Sequence, residues 1–419
     1  MKKNILLLIA LLLIQGCQKS TEPMYHSFYA NAGPDQTTRV GSYAIIDASK
    51  SIFPDGVGEN WFEWNQDENN PEEITIHSGN DDGVQTVMFK VEGDYKFHLT
   101  LKKGDIINND VKMSNTDGIR VTVLPRLNGP IEDLVLESDI RYKLKTPLNE
   151  ITDVLLLQID SINCASFTAN KVLSINGIEK CTNLKYLEGS LESIEDISPL
   201  SNLTNLAWID LDQNWKISNV TPLTNLIKLK HLNIDGNYIS DLSPLVNLRE
   251  LTYLNVMYNE SITDISVVHN LIELEELWLS NSPIENIKPI ENLIKLKNLW
   301  LAKCEITDIT PLKNLTELKS LFLKYNNISD ISALSKLIKL ERLYLSGNSI
   351  SDISVLENLT NINWFILPDN QIEDIAPLVN NIGLGDGDTV DLSRNPLNDV
   401  SINSHIKTLR NRGVVVYFN

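Results

Sequence analysis

A repeat of 22 or 23 residues fills residues 184 to 397 and constrains the fold more than any other sequence feature. When each LxxLxLxxNxI unit is counted from its first apolar residue, positions 1, 4, 6, 11, 14, 17 and 20 are apolar in 61 of 63 cases. The exceptions are Gly189 and Asn381. One unit cannot bury its apolar face alone, so the pattern predicts a solenoid of stacked units. The regular units begin at Leu184, Leu206, Leu229, Leu251, Leu274, Leu296, Leu318, Leu340 and Ile362.

Two polar residues recur at fixed positions in these units. Position 9 is asparagine in most units, and Cys304 replaces it in one; we interpret the amide as a partner for backbone groups where the chain turns. Position 13 is aspartate in most units, which fits local backbone bonding at the start of a short turn that Ser-Pro or Thr-Pro continues. A column of calcium ligands is the alternative explanation of the aspartates.

The repeats resemble the internalin-type leucine-rich repeat, as the unit Ile328-Ser329-Asp330-Ile331 illustrates. The resemblance extends to both ends, because residues 131–144 and 151–153 look like its helical N-terminal cap and residues 395–416 look like a terminal cap. A divergent unit from Ile159 and a degenerate one around Val390 flank the regular units. The resemblance implies a parallel β-sheet on the concave face and a role in adhesion or recognition of a host surface.

In such a solenoid, positions 3 and 5 flank the inward residue of each strand and point into the groove. Aromatic residues fill 8 of these 18 places, whereas an aromatic content of 7% would put about one there. They occupy position 3 in the first four units and position 5 in the next four, and they return to position 3 in the last. With one polar histidine among them, they form a predicted ligand-binding stripe roughly 40 Å long: Tyr186, Trp208, His231, Tyr253, Trp278, Trp300, Phe322, Tyr344 and Trp364.

An aromatic row of this length is typical of a binding surface, and a protein partner is the favoured ligand. Acidic residues near one end (Glu188, Asp210, Asp212, Asp235) and basic residues near the other (Lys303, Lys324, Arg342) predict a charge gradient that orients the partner. Two alternatives remain open at this point. Stacked aromatic residues also suit a polysaccharide, and large flat side chains can stabilise a sheet in an envelope scaffold that has no ligand.

The region before the repeats has short β-rich segments separated by Gly, Asp and Asn, which predicts an antiparallel β-sandwich over residues 29–125. In residues 95–101 the alternation places Tyr95, Phe97, Leu99 and Leu101 on one face. From residues 30–36 through Trp64 to Gly93-Asp94-Tyr95, the stretch resembles a PKD domain. That resemblance implies an Ig-like fold in a spacer or a binding module, with Trp64 as the core tryptophan.

The N-terminus has the pattern of a bacterial lipoprotein signal. Lys2 and Lys3 precede an apolar run of ten residues, 5–14, which is too short to span a bilayer. The following Gln15-Gly16-Cys17 resembles a lipobox, which implies lipidation of Cys17 and a protein anchored to the cell envelope, at the outer membrane or cell surface. The predicted organisation is a signal peptide (1–17), a tether (18–28), the PKD-like sandwich (29–125), an N-terminal cap with a divergent repeat (126–183), the repeats (184–397) and a C-terminal cap (398–419).

Several functions find no support in the sequence. The net charge of -19 argues against nucleic-acid binding. The six histidines include no pair at metal-ligand spacing, and no hydrolase or phosphate-binding motif occurs, so neither an enzyme nor a cofactor is expected. Four cysteines are too few for a disulfide scaffold, and Cys164 and Cys181 are expected to be buried thiols. Acidic turn residues (Asp55, Asp81, Asp82, Asp386, Asp388, Asp391) are either loop-forming groups, which we favour, or calcium ligands.

Overall fold

The computed structural model describes residues 32–39, 43–48, 51, 59–72, 84–89, 91–105, 110–124, 129–145, 149–164 and 171–418. The chain divides into two compact units, and the second unit begins at Pro125 and also includes Arg39–Ser42. The predicted signal peptide, lipidation site Cys17, tether and acidic turn residues Asp55, Asp81 and Asp82 lie outside the described residues. No helix in the described ranges is long and apolar enough to cross a membrane.

The first unit contains six described strands in two sheets. The strands are β1 Gln36–Arg39, β2 Tyr43–Asp47, β3 Glu59–Gln66, β4 Val84–Met88, β5 Gly93–Asp105 and β6 Asp110–Leu124. One sheet has the order β1-β6-β5-β3, in which β5 pairs antiparallel with β3 and β6, and the other is the antiparallel pair β2-β4.

The buried side of β5 carries the core of this unit. Tyr95, Phe97 and Leu99 are fully buried, which confirms the predicted alternation for these residues, and the side chain of Leu101 is outside the described set. Trp64 on β3 is also buried. The Tyr95 hydroxyl donates to the Val91 carbonyl at 2.8 Å. The assignment of the two sheets to a PKD-like sandwich stays a prediction.

The second unit contains one parallel sheet of twelve strands that follow one another in chain order. The divergent unit supplies its first strand, the degenerate unit its eleventh and the predicted C-terminal cap its twelfth. The strands are β7 Ser161–Asn163, β8 Tyr186–Glu188, β9 Trp208–Asp210, β10 His231–Asn233, β11 Tyr253–Asn255, β12 Glu276–Trp278, β13 Asn298–Trp300, β14 Ser320–Phe322, β15 Arg342–Tyr344, β16 Trp364–Ile366, β17 Thr389–Asp391 and β18 Val415–Tyr417.

Short helical turns cover the opposite side of the solenoid. The position-13 aspartates begin these turns, because a carboxylate oxygen accepts the backbone N–H two residues later, as in Asp241 with Ser243 at 2.8 Å. This contact confirms the predicted local role of these aspartates. The turns span Ile178–Lys180, Ser198–Leu200, Thr221–Leu223, Ser243–Asn247, Ser266–Asn270, Lys288–Ile290, Thr310–Asn314, Ser332–Lys336, Ser354–Asn358 and helix α3, Ala376–Asn380.

The position-9 asparagines form a buried ladder that joins each repeat to the one before it. The Asn259 amide donates to the carbonyls of Ile234 and Val256, both at 3.0 Å, and its side-chain oxygen accepts the Ile239 N–H at 2.9 Å. Ser282 and Cys304 occupy the same position in the next two repeats. The amide ladder therefore satisfies buried backbone groups as the sequence predicts. Its members are Asn214, Asn237, Asn259, Asn326, Asn348, Asn370 and Asn395.

Helices lie at both ends of the solenoid. At the N-terminal end, helix α1 (Leu134–Leu144) begins after Asp133, whose carboxylate accepts the N–H groups of Val135 and Leu136, and helix α2 (Asp153–Leu156) follows. Inside α1, Arg141 and Glu137 form an ion pair at 2.7 Å with both side chains only 2% exposed. At the C-terminal end, one π turn (Ser401–His405) leads into helix α4 (Ile406–Asn411) and then β18. The helical N-terminal cap is confirmed, and the assignment of residues 398–419 to a C-terminal cap stays a prediction.

Candidate binding surface

The parallel sheet presents two outward residues from most of its strands. In β8, β9 and β10 the middle residue is buried while its two neighbours are half-buried, because successive side chains of a strand point to opposite faces. The strands pair in register, so that His231 lies opposite Trp208 on one side and Tyr253 on the other. Side chains at one repeat position therefore stand next to each other, ~4.8 Å apart along the sheet.

The first four repeats place their rings in one continuous stack. The ring centroids of Tyr186 and Trp208 are 4.1 Å apart, those of Trp208 and His231 are 4.6 Å apart, and those of His231 and Tyr253 are 4.1 Å apart. The interplanar angles are 12°, 10° and 8°. The predicted polar rung His231 is thus a stacked member of the row.

The next four repeats form a second stack at position 5 of their units, whereas the first stack lies at position 3. Trp278 and Trp300 stack at 4.6 Å, Trp300 and Phe322 at 3.9 Å, and Phe322 and Tyr344 at 4.3 Å. The two stacks meet where Tyr253 contacts Trp278 at 5.7 Å with a tilt of 54°. The change of column seen in the sequence is therefore a bend in a single row of eight rings, which we call the ring stack.

The structure corrects two expectations about this row. The sequence suggested nine exposed side chains in line, but the eight members of the ring stack are half-buried because each ring covers its neighbour's face. Trp364 is 45% exposed and lies opposite Arg342 in the sheet. The residue opposite Tyr344, the last ring of the stack, is Ile366. Trp364 therefore lies beside the end of the stack and makes no ring contact with it.

Acidic residues surround the N-terminal end of the ring stack. Asp210 accepts the Asn233 amide at 3.0 Å and the Ser190 hydroxyl at 3.1 Å, and Asp212 and Asp235 follow at the same edge. Burial, together with the nearby charge of Asp212, raises the pKa of Asp235 to about 6. Burial also raises the pKa of Glu188 and of Asp212, each with a contribution from neighbouring Asp210. This end consequently holds closely spaced carboxylates that a cationic partner would stabilise.

Three buried polar atoms of this face have no hydrogen-bond partner within the described residues: His231 Nε2, Asp235 Oδ1 and Trp278 Nε1. Burial lowers the pKa of His231 to about 4, so its ring is neutral at physiological pH. Because unpaired polar atoms are costly when buried, the middle of the stack carries a local cost in stability.

Basic side chains occupy the C-terminal end. Lys324 Nζ lies 4.6 Å from the centre of the Tyr344 ring, and Lys303 Nζ lies 6.0 Å from that of Tyr325. Arg342 is exposed on β15, and Arg394 forms an ion pair with Asp369. Of these basic side chains, Lys324 contacts the ring stack directly, and the charge gradient from Glu188 to Arg342 stays a prediction.

The remaining sequence candidates are structural groups. Among the described residues, no set of three or more His, Cys, Asp or Glu side chains is arranged to hold a metal ion. Asp388 accepts the Gly385 N–H at 2.7 Å, and Asp391 accepts the Ser393 N–H at 3.0 Å, so both carboxylates hold their own loop. The described cysteines Cys164, Cys181 and Cys304 are free and buried.

Sequence reasoning missed one group of side chains. Trp215, Tyr238 and Tyr258 lie in the loops that follow β9, β10 and β11, and they are 50%, 65% and 47% exposed. The signal is in the sequence, because each of the three is directly next to the recurring position-9 asparagine of its unit, in three consecutive repeats. These residues were missed because they lie outside positions 3 and 5 of the units, where binding residues were expected.

Comparisons with known proteins place this architecture among leucine-rich repeat proteins. A family model described as leucine-rich repeats (2 copies) matches residues 272–314, 294–336 and 316–358. A comparison with curated protein sequences found no match. The solved structure of an internalin, InlF from Listeria monocytogenes, is 32% identical with a TM-score of 0.60, and the alignment covers 70% of this chain and 93% of that one.

Two further solved internalin structures from Listeria monocytogenes are similar to parts of this chain. Internalin C2 is 30% identical with a TM-score of 0.45, over 57% of this chain and 93% of its own. The functional domain of InlJ, described as including a cysteine ladder, is 24% identical with a TM-score of 0.56, over 69% of this chain and 59% of its own.

Proposed function

Because this chain belongs to the internalin family of leucine-rich repeat proteins, we propose that it is a non-enzymatic, lipid-anchored surface protein whose concave sheet binds a protein partner. The observation that carries the proposal is the ring stack, eight rings long, with an acidic group at one end and a basic group at the other. Aromatic side chains are enriched where protein partners bind, and opposite charges at the two ends orient the partner.

The geometry of the stack favours a protein over a polysaccharide on this face. A sugar ring packs its C–H groups against the flat face of an aromatic ring, whereas Trp208 and Trp300 have both faces covered by neighbouring rings at 3.9–4.6 Å. What remains accessible is the ring edge. Edges of this kind pack against apolar and aromatic side chains and form hydrogen bonds with polar ones.

The stack also makes the surface rigid before binding. Each of the six inner rings is held between two others on a hydrogen-bonded strand, so little side-chain freedom is left to lose when a partner binds. A sheet scaffold without a ligand would gain the same packing. It would not require the opposite charges at the two ends or the polar ring atoms left without partners.

The anchor is a separate part of the proposal and is supported by the sequence pattern at Cys17. Lipid on this cysteine would hold the protein at the cell envelope, at the outer membrane or cell surface, with the repeats facing away from the bilayer. Labelling cells with an alkyne palmitate analogue tests this directly. Incorporation that is lost in Cys17→Ala would support lipidation, and equal labelling of both proteins would exclude it.

The binding proposal is tested by capture from surface extracts, with identification of the retained protein and a direct binding measurement on that protein once purified. The test variant combines Trp208→Leu, Trp300→Leu and Trp364→Ser, since leucine preserves part of the packing within the stack. The matched control combines Ile272→Ser, Ile294→Ser and Ile338→Ser, whose side chains are 53%, 58% and 56% exposed outside the sheet. Both variants are first checked for unchanged circular dichroism and thermal unfolding.

A partner that binds the parent protein and the control, but binds the test variant about 30-fold more weakly, would support the proposal, because buried aromatic anchors typically contribute ~2–4 kcal/mol. Equal binding to all three proteins would exclude the ring stack as the site. If the captured material survives protease but is destroyed by periodate, the partner is a polysaccharide and the proposal is wrong.

A further inference from the structure

We propose that the side of the solenoid carries a second binding site, in which Trp215, Tyr238 and Tyr258 stack an uncharged polysaccharide. These three side chains, which we call the lateral cluster, are 50%, 65% and 47% exposed, whereas the members of the ring stack are half-buried. They lie beyond the C-terminal ends of the strands β9, β10 and β11 and so outside the concave face.

Backbone hydrogen bonds hold the three loops side by side. The Trp215 N–H donates to the Gly236 carbonyl at 3.1 Å, and the Tyr238 N–H donates to the Ile217 carbonyl at 2.9 Å. The Gly236 N–H in turn donates to the Met257 carbonyl at 3.0 Å, which fixes the loop that carries Tyr258. The three loops are therefore held in a fixed arrangement at successive repeats, with Trp215 and Tyr238 directly after the position-9 asparagines of their units and Tyr258 directly before that of the next.

The rings of the lateral cluster differ from the ring stack in the property that sugar binding requires. None of the three makes a ring contact with another aromatic side chain, although all three are among the described residues, so their faces are not covered by each other. An aromatic face with a polar tip, as in tyrosine, offers both C–H packing and a hydrogen-bonding hydroxyl.

Charge favours an uncharged ligand. Lys216 follows Trp215 and Glu260 lies close to Tyr258 in sequence, so the cluster has one nearby cation and one nearby anion. The whole chain has a net charge of -19, which repels acidic glycans. Exposed aromatic side chains in consecutive repeats are costly in water, and a cluster of them marks an interaction site more often than isolated ones do.

The site is tested with the full chain by isothermal titration calorimetry and by affinity electrophoresis. The probes are cellohexaose, chitohexaose, mannohexaose and xylohexaose, together with the corresponding soluble polysaccharides and the acidic polysaccharides heparin and alginate. The test variant is Trp215→Ala/Tyr238→Ala/Tyr258→Ala, and each single substitution is measured as well. The control, Tyr142→Ala/Tyr325→Ala/Tyr417→Ala, removes three other tyrosines that are 64%, 53% and 55% exposed.

We expect at least one uncharged probe to bind the parent protein and the control equally, and to bind the test variant about tenfold more weakly or not at all. The concave variant of the preceding section should retain this binding, so the outcome is independent of the protein-binding proposal. Failure of every uncharged probe, a preference for the acidic polysaccharides, or equal loss in the control would overturn the inference. Concentration-dependent dimerisation that disappears in the test variant would also overturn it, because the cluster would then be a contact between copies of this chain.

Discussion

Replacing Asn259 by alanine should destabilise the protein strongly although the side chain belongs to neither proposed site. Asn259 is fully buried, and its amide and carbonyl groups make three backbone contacts at 2.9–3.0 Å with Ile234, Ile239 and Val256. Alanine would leave these three backbone groups without partners. At ~1–3 kcal/mol for each unsatisfied group, with partial relief from any water that enters the space, the free energy of unfolding should fall by about 3–5 kcal/mol.

The measurement is equilibrium unfolding in urea, followed by tryptophan fluorescence and circular dichroism, with Asn247→Ala as the matched control. Asn247 is exposed at the end of a turn, and its substitution should change the free energy of unfolding by no more than ~0.5 kcal/mol. A loss below about 1 kcal/mol for Asn259→Ala would show that the ladder amide is replaceable by solvent and that the reasoning is wrong. Asn259→Ser should be milder, because Ser282 occupies the equivalent place and donates to the Asn259 carbonyl at 3.0 Å.

Three further predictions concern charge and burial. Because the pKa of Asp235 is raised to about 6 from 3.8, its ionisation opposes folding; Asp235→Asn should therefore have a higher Tm than the parent protein at pH 7.5, and the difference should shrink as the pH falls through 6 towards 4 in differential scanning calorimetry. Arg141→Met should cost about 3–5 kcal/mol in urea unfolding, because it leaves the buried Glu137 carboxylate without its cation, and adding Glu137→Leu should recover part of the loss. The thiols of Cys181 and Cys304, whose pKa burial raises to about 12, and the buried thiol of Cys164 should resist iodoacetamide at pH 8 until the protein unfolds; labelling in the native state would contradict their burial.

Much of the solenoid could be predicted from the sequence because its forces are local and repeated. Each apolar position recurs at the same spacing, so the strands, the turns and the buried amides follow from one unit and apply to the next. The register of the parallel sheet then follows as well, which is why the sequence alone places the ring-stack residues on one face. The repeat pattern also tolerates exceptions, because Ser282 and Cys304 replace asparagine at position 9 of two units.

The exposure of the aromatic ring faces could not be predicted in the same way. Whether neighbouring rings expose their faces or cover them depends on side-chain rotamers, which periodicity does not determine. The sequence therefore suggested an exposed row, and it could not separate Trp364 from the other members or distinguish concave rings from the lateral cluster. In the N-terminal unit nothing repeats, so the limits of one strand, such as β4 at Val84–Met88, cannot be inferred from those of another.

The hydrogen bonds of the asparagine ladder reach back by one unit only, as Asn214 does to Gly189 and Ile194. A gene rearrangement that duplicates or deletes a whole unit would therefore leave every other interface in the array chemically unchanged. Each such event would lengthen or shorten the distance between the acidic and basic ends by one strand spacing, ~4.8 Å. The distance between the two charged ends can thus change in evolution by whole units, to match partners of different lengths, while the stability per unit stays the same.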